Sequence, residues 1–342
     1  MKYINIEIHD TEFENKFLLL YQNRTLLVGN IVADIVRFLI NNKNNANEIS
    51  IYLSSKYKQN INHLTIIEII EKIDVFLNNN KKQSYTKVTK LFNPSKIQTK
   101  YLNFLFDKYF FYTTFFLLII MNTIISKNIV NMSINSKTEW SIWLLLLFVI
   151  LIVHELGHSF SANKFNVKCK EVGLGLYLIF PVLYIYLGET WKLKKEKRII
   201  INLSGIYFQL ILGIILFAFS SIYQSTIFTH LFFTNYSIAI LNLNPFVKFD
   251  GYWVISDILD SKNLVKESNS SLKEILQFNF KNYKFIIYAI LRISFLTFIF
   301  YYIIQILFSI ICKFINKENL DTFEIIMITI ITILLIKKII KK

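Results

Sequence analysis

Residues 142–153 form an unbroken apolar run that ends in His154-Glu155-Leu156-Gly157-His158. Ionisable groups are costly inside a membrane span and are kept there for function. Three of them closing such a run restrict the chain to a membrane helix that carries chemistry. Helical residues turn by about 100° each, so His154 and His158 lie about 40° apart on one face, where both imidazoles reach one metal. Glu155 projects about a quarter turn away, placed to take a proton from water and not to bind the ion. The pattern is that of a zinc site with a built-in base, and its setting puts that site at a bilayer.

The rest of the chain suits this setting. With 54% hydrophobic and 16% aromatic residues, its 342 residues are too apolar for a soluble globular protein. A bilayer core takes roughly 20 helical residues to cross, and six segments qualify: 109–126, 140–160, 199–223, 228–246, 285–311 and 323–336. Residues 172–187 are also apolar, but they contain Gly173, Gly175 and Pro181 and have basic flanks, which reads as a re-entrant hairpin. The expected fold class is mainly α: a polytopic helical membrane protein of about six spans plus this hairpin, with a small α+β winged-helix-like N-terminal domain.

The formal charge of +15 would suit a nucleic-acid partner, so its location matters. Residues 1–80 hold eight Lys/Arg against nine Asp/Glu, and the excess falls in short segments of the membrane body, at 164–170, 192–198 and 337–342. That is a positive-inside pattern, not a phosphate-binding face. The first thirty residues have no apolar signal region. The expected placement is multi-pass in the plasma membrane with both termini cytosolic, the lipid bilayer as partner and no nucleic acid. Cys169 and Cys312 differ too much in setting to suggest a disulfide framework and read as reduced or buried thiols.

Three parts follow along the chain: a head at 1–85, a linker at 86–108 broken by Pro94, and a membrane domain at 109–342. In the head, residues 2–8 alternate with period two, and 17–21 and 25–28 are β-prone. Helical stripes follow at Ile31, Ile35, Phe38 and Leu39, then Ile49, Leu53 and Tyr57, then Leu64, Ile67, Ile70, Ile73 and Phe76. Strands followed by three helices in this order resemble the PqqD-like peptide-recognition modules, which bind leader peptides of ribosomally made, modified peptides.

A catalytic zinc needs a third protein ligand. Asp250 is the strongest candidate, in Leu241-Asn242-Leu243-Asn244-Pro245-Phe246-Val247-Lys248-Phe249-Asp250-Gly251. Pro245 breaks the preceding helix and Gly251 permits a turn that aims the carboxylate inward. Asp257 and Asp260 are rivals expected to face water, and Glu189 is a weaker one. The pairing of H-E-L-G-H with N-L-x-P-x(4)-D-G about ninety residues later resembles the site-two proteases, intramembrane zinc metalloproteases. That resemblance implies Asp250 as third ligand and Asn242 as the residue that orients substrate or stabilises the oxyanion, a role Asn244 could share. Two departures concern packing and access: no proline follows Gly205 in Asn202-Leu203-Ser204-Gly205, and Lys248 and Phe249 charge and lengthen the approach to Asp250. His9, His63 and His230 read as surface or capping residues.

The first functional expectation is a membrane-embedded zinc metalloendopeptidase that cleaves a ribosomally made, bacteriocin-like or modified peptide, or its leader. A peptide transporter or modifying enzyme is a candidate partner. The alternative is a non-proteolytic peptide-binding export or immunity component, against which an intact Glu155 speaks. A membrane-tethered transcriptional regulator is a third, disfavoured by the near-neutral, slightly acidic balance of the head.

Overall fold

The computed structural model describes residues 3–22, 24–41, 45–78, 86–94, 97, 100–128, 137–169, 171–177, 180–275 and 281–315. The chain forms two compact units, one up to Ile258 and one from Leu259 onward.

The first unit begins with an antiparallel sheet of β1 (Ile6–Asp10), β2 (Lys16–Tyr21) and β3 (Arg24–Gly29), in that order. Leu18, Leu19 and Leu20 on β2 are all buried, so this strand is covered on both faces. Leu19 packs into the core formed with α1 (Asn30–Ile40), α2 (Ala46–Tyr57) and α3 (His63–Asn78), where Ile35, Leu39, Ile49 and Leu53 are also buried. The 3-10 turn Gly188–Lys192 packs against β2 and β3. Glu12 holds this junction: its N–H donates to Lys192 O (2.9 Å), its Oε2 accepts from the Lys194 N–H (3.0 Å), and it pairs with Lys197.

On α3 the buried face is Ile66, Ile73 and Leu77, while Leu64 and Ile67 of the expected stripe are exposed. Apolar residues occupy more than one side of this helix, so period alone does not choose its inner face.

The stretch read as a linker contains β4 (Thr86–Phe92) and a 3-10 helix at Lys100–Phe106. The segment read as a re-entrant hairpin holds β5 (Val172–Tyr177) and β6 (Phe180–Ile185), which pair antiparallel, and β4 joins them in a sheet of order β4-β5-β6. A Cβ on Gly173 would lie 2.7 Å from Thr89 O and 2.6 Å from the Tyr184 hydroxyl, so only glycine lets β4 approach there.

Four described helices are long and apolar enough to cross a membrane: α4 (Lys108–Asn128), α5 (Lys137–Lys164), α6 (Lys195–Tyr223) and α10 (Tyr283–Ile315). α6 is the central one, packed on α4, α5, α7 (Thr226–Asn242) and α8 (Asp250–Ile258). α7 has 17 residues and stops at Asn242, short of the crossing expected over 228–246. The turn at Pro245 ends it there; at 1.5 Å per residue it extends about 26 Å, near the short end of what crosses a hydrocarbon core. The expected crossing at 323–336 lies outside the described residues. In the second unit α9 (Leu264–Ile275) packs on α10.

Asp34 is a buried charge in the head. It accepts from Lys56 Nζ (2.6 Å), the Tyr57 hydroxyl (2.8 Å) and Arg37 (2.8 Å). Burial alone would raise this carboxyl, but the three donors outweigh it and hold it below the ordinary range. A carboxylate lowered by folding stabilises above its unfolded pKa of about 3.9 and ceases to as pH falls through the folded value. Asp34→Asn should therefore cost the head about 1–3 kcal/mol at pH 7, read as faster amide exchange in α1 and α2 than in wild type, and less at pH 3. An equal cost at both pH values would contradict this.

Candidate metal centre

Two glycines let the two central helices touch. A Cβ on Gly157 of α5 would lie 2.3 Å from Ser204 O of α6. A Cβ on Gly205 would lie 2.4 Å from His158 Nε2 and 2.7 Å from His154 Cε1. Small residues at such a crossing allow close backbone approach in a membrane, and here the space left at Gly205 is filled by the two imidazoles.

α6 also fixes their orientation. The His154 Nδ1–H donates to Gln209 Oε1 (2.9 Å), and the His158 Nδ1–H donates to Ile201 O (2.7 Å). Carbonyl oxygens only accept, so each ring carries a proton on Nδ1, and in the neutral ring Nε2 then holds the free electron pair that can bind a metal. The two Nε2 atoms lie 3.1 Å apart, and Asp250 Oδ2 lies 3.1 Å from that of His154 and 3.4 Å from that of His158. Three potential ligand atoms thus converge on one point, and Asp250 Oδ2 is buried without a satisfied hydrogen bond.

A cation resolves this convergence. Ligand atoms about 2.0–2.1 Å from a tetrahedral zinc stand about 3.3 Å from one another, close to the separations found. Two imidazoles and one carboxylate are also a donor set that catalytic zinc takes, with Nδ1–H groups anchored as metal-ligating histidines require. His154, His158 and Asp250 thus fit the ion. Glu155 is buried beside them and outside the ligand cluster.

Asp250 begins α8, and both ends of that helix are held. At its start, a Cβ on Gly251 would lie 2.2 Å from Leu243 O, and Asn244 Oδ1 accepts from the Phe246 N–H (2.8 Å), closing the turn around Pro245. At its far end Asp257 is buried, accepting from Arg198 Nε (2.7 Å) and Asn202 Nδ2 (2.8 Å) of α6. Asp257 therefore does not face water as expected. Its paired donors on α6 remove the reason for a carboxylate to seek solvent, and it positions α8. Asp260 is exposed, and Glu189 lies in the 3-10 turn, outside this cluster.

Asn242 is the half-buried last residue of α7, and among the described residues no hydrogen bond joins it to the cluster. His63 is exposed and His230 half-buried. Burial pushes the Cys169 thiol up to about 12, which makes it unreactive.

Gln209 was not singled out from the sequence, although a polar side chain four residues after Gly205 in an apolar helix shares its face and is a signal in itself. It is fully buried, in a polar layer where Asn235 Nδ2 donates to Gln209 O (2.7 Å) and Asn122 Nδ2 to Leu210 O (3.1 Å). Gln209→Ala should lower zinc affinity about 10–100-fold, measured by competition with a chromophoric chelator. Gly205→Ala should cost the chain this zinc altogether. Wild-type affinity in both variants would contradict the assignment.

Residues 142–226, which hold both histidines and the α6 segment facing them, match Peptidase family M50. The chain is 26% identical over 198 residues to YydH of Bacillus subtilis (strain 168), named for a peptide zinc metalloprotease, covering 55% of this chain and 79% of that protein. It is 31% identical over 140 residues to a zinc metalloprotease of Methanocaldococcus jannaschii, covering 39% of each. No solved structure matches the chain. The match to Peptidase family M50 over residues 142–226, relatives named as zinc metalloproteases and helices long and apolar enough to cross a membrane together support a zinc-dependent metalloprotease of the membrane.

Proposed function

We propose that this protein is a membrane-embedded zinc endopeptidase that cleaves a ribosomally made peptide, or removes its leader, from the cytosolic side of the plasma membrane. The observation that carries the reading is the ligand cluster with a buried carboxylate beside it, near the end of an apolar helix. Zinc, when bound, polarises the scissile carbonyl and makes water acidic enough to lose a proton near neutral pH.

The chain's own residues do the rest. Gln209 and the Ile201 carbonyl hold the imidazoles with Nε2 outward. Glu155 takes a proton from the attacking water as its oxygen bonds to the peptide carbon. It returns that proton to the amide nitrogen as the C–N bond breaks, giving a carboxylic acid and an amine. Asn242, at the mouth of the α7–α8 turn, orients the substrate or stabilises its oxyanion.

A peptide must be extended to be cut, and two sheets offer edges. In the sheet beside the metal domain, β4 takes one side of β5, while β6 has no outer strand partner among the described residues. In the head, β1 and β3 are both edges, so a leader can add as a strand in the manner of the PqqD-like modules. Tethering the leader there raises the local concentration of the scissile segment at the membrane domain. A transporter or modifying enzyme would act on the same peptide. The name of the Bacillus subtilis relative, a peptide zinc metalloprotease, supports this substrate class. The buried Glu155 favours catalysis over a binding-only scaffold, which needs no base.

Purified wild type and Glu155→Gln, both checked for zinc, should be incubated with the small peptide encoded nearest this gene and the products read by mass spectrometry. Glu155→Gln should keep its zinc and cleave about 10²–10⁴-fold more slowly. Undiminished cleavage would refute the mechanism, and binding without cleavage by wild type would favour an export or immunity role.

A further inference from the structure

A second set of metal-binding side chains lies where the head meets the body. Glu7 and His9 stand two residues apart on β1 and share one face of the sheet. They pair directly with Leu20 and Leu18, the residues of β2 on the face opposite the helical core, and the 3-10 turn Gly188–Lys192 packs against that strand. His9 Nε2 and Glu7 Oε2 are 3.2 Å apart. Glu189 of the turn completes the set: one ligand atom from each of the three lies within 4.8 Å of the others.

Glu189 is the least expected member. It is 2% exposed, and its Oε2 accepts from Lys192 Nζ (3.1 Å) and the Lys168 N–H (3.4 Å). Its Oε1 is buried with no hydrogen-bond partner, and so is the Tyr186 hydroxyl, which feels the charges of both Glu189 and Glu7. Buried carboxylate oxygens are almost always satisfied, and one that is not calls for an ion or a donor. Burial is graded across the set, from Glu189 inside, through His9, to Glu7 with half its side chain exposed, so an ion can enter past Glu7. One imidazole with two carboxylates suits zinc, whereas the all-oxygen shells of calcium and magnesium leave no use for the histidine.

We propose that Glu7, His9 and Glu189 form a second divalent-metal site, of the zinc class, that pins β1 of the head to the turn leading into α6. The site is separate from the catalytic cluster and goes beyond the peptidase reading. It reinforces the junction already made by Glu12. The turn it grips runs directly into the helix that carries Ile201, Gly205 and Gln209, so the placement of the head becomes dependent on metal.

The test is the zinc content of the full-length protein in detergent, after dialysis against zinc and removal of the excess, by inductively coupled plasma mass spectrometry. His9→Ala and Glu7→Gln should each hold one zinc fewer per chain than wild type, and His9→Ala combined with His154→Ala should hold one fewer than His154→Ala alone. Glu7 is exposed enough that its amide variant leaves the fold intact, so wild-type zinc content in Glu7→Gln or His9→Ala overturns the proposal. A zinc lost from His9→Ala but not from His154→Ala would support this site and count against the catalytic assignment instead.

Discussion

The metal centre depends on α5 and α6 meeting with no side chain between them at Gly157 and Gly205. In a bilayer, lipid tails satisfy an apolar helix as well as another helix does, so close backbone approach and polar contacts must supply the association. Here the same contact does both. The gap at Gly205 receives the two imidazoles, and Gln209 Oε1 and the Ile201 carbonyl accept their Nδ1–H hydrogen bonds. Polar groups that would be expensive in hydrocarbon thus become the link between the helices, and the geometry that satisfies them also aims two nitrogens at one point.

From that contact the rest of the centre is assembled through α6. Arg198 and Asn202 lie one or two turns before Gly205 and hold Asp257, which sets α8 so that Asp250 at its start reaches the histidines. A buried pair such as Arg198–Asp257 contributes less to net stability than to geometry, and removing one partner typically costs about 3–5 kcal/mol by stranding the other. All three residues of the cluster are therefore placed by one helix. The 3-10 turn just before α6 contacts the head's sheet, which ties the head to the helix that shapes the site.

The parts of this arrangement legible in the sequence were those encoded by local spacing. Two histidines four apart, a carboxylate between them and an apolar run before them define one helix face and its setting without any knowledge of the fold. Asp250 could be reached because Pro245 and Gly251 mark a turn that aims a side chain. What could not be read was pairing across the chain. Asp257 looked solvated until Arg198, fifty-nine residues earlier, was placed against it. β4 looked like a linker because lysines and threonines on an edge strand resemble a polar loop, and its identity comes from β5, more than eighty residues later. On α3, apolar residues on several sides left the inner face to be decided by what packs on it.

The central claim is that two imidazoles and one carboxylate, from α5 and α8, hold a zinc ion. Zinc-edge X-ray absorption on the purified His9→Ala protein, which removes any zinc beside the head, tests it most directly. The account predicts a first shell of nitrogen and oxygen at about 2.0–2.2 Å with outer-shell scattering from two imidazoles. A sulfur neighbour at about 2.3 Å, or the signature of a single imidazole, would contradict it.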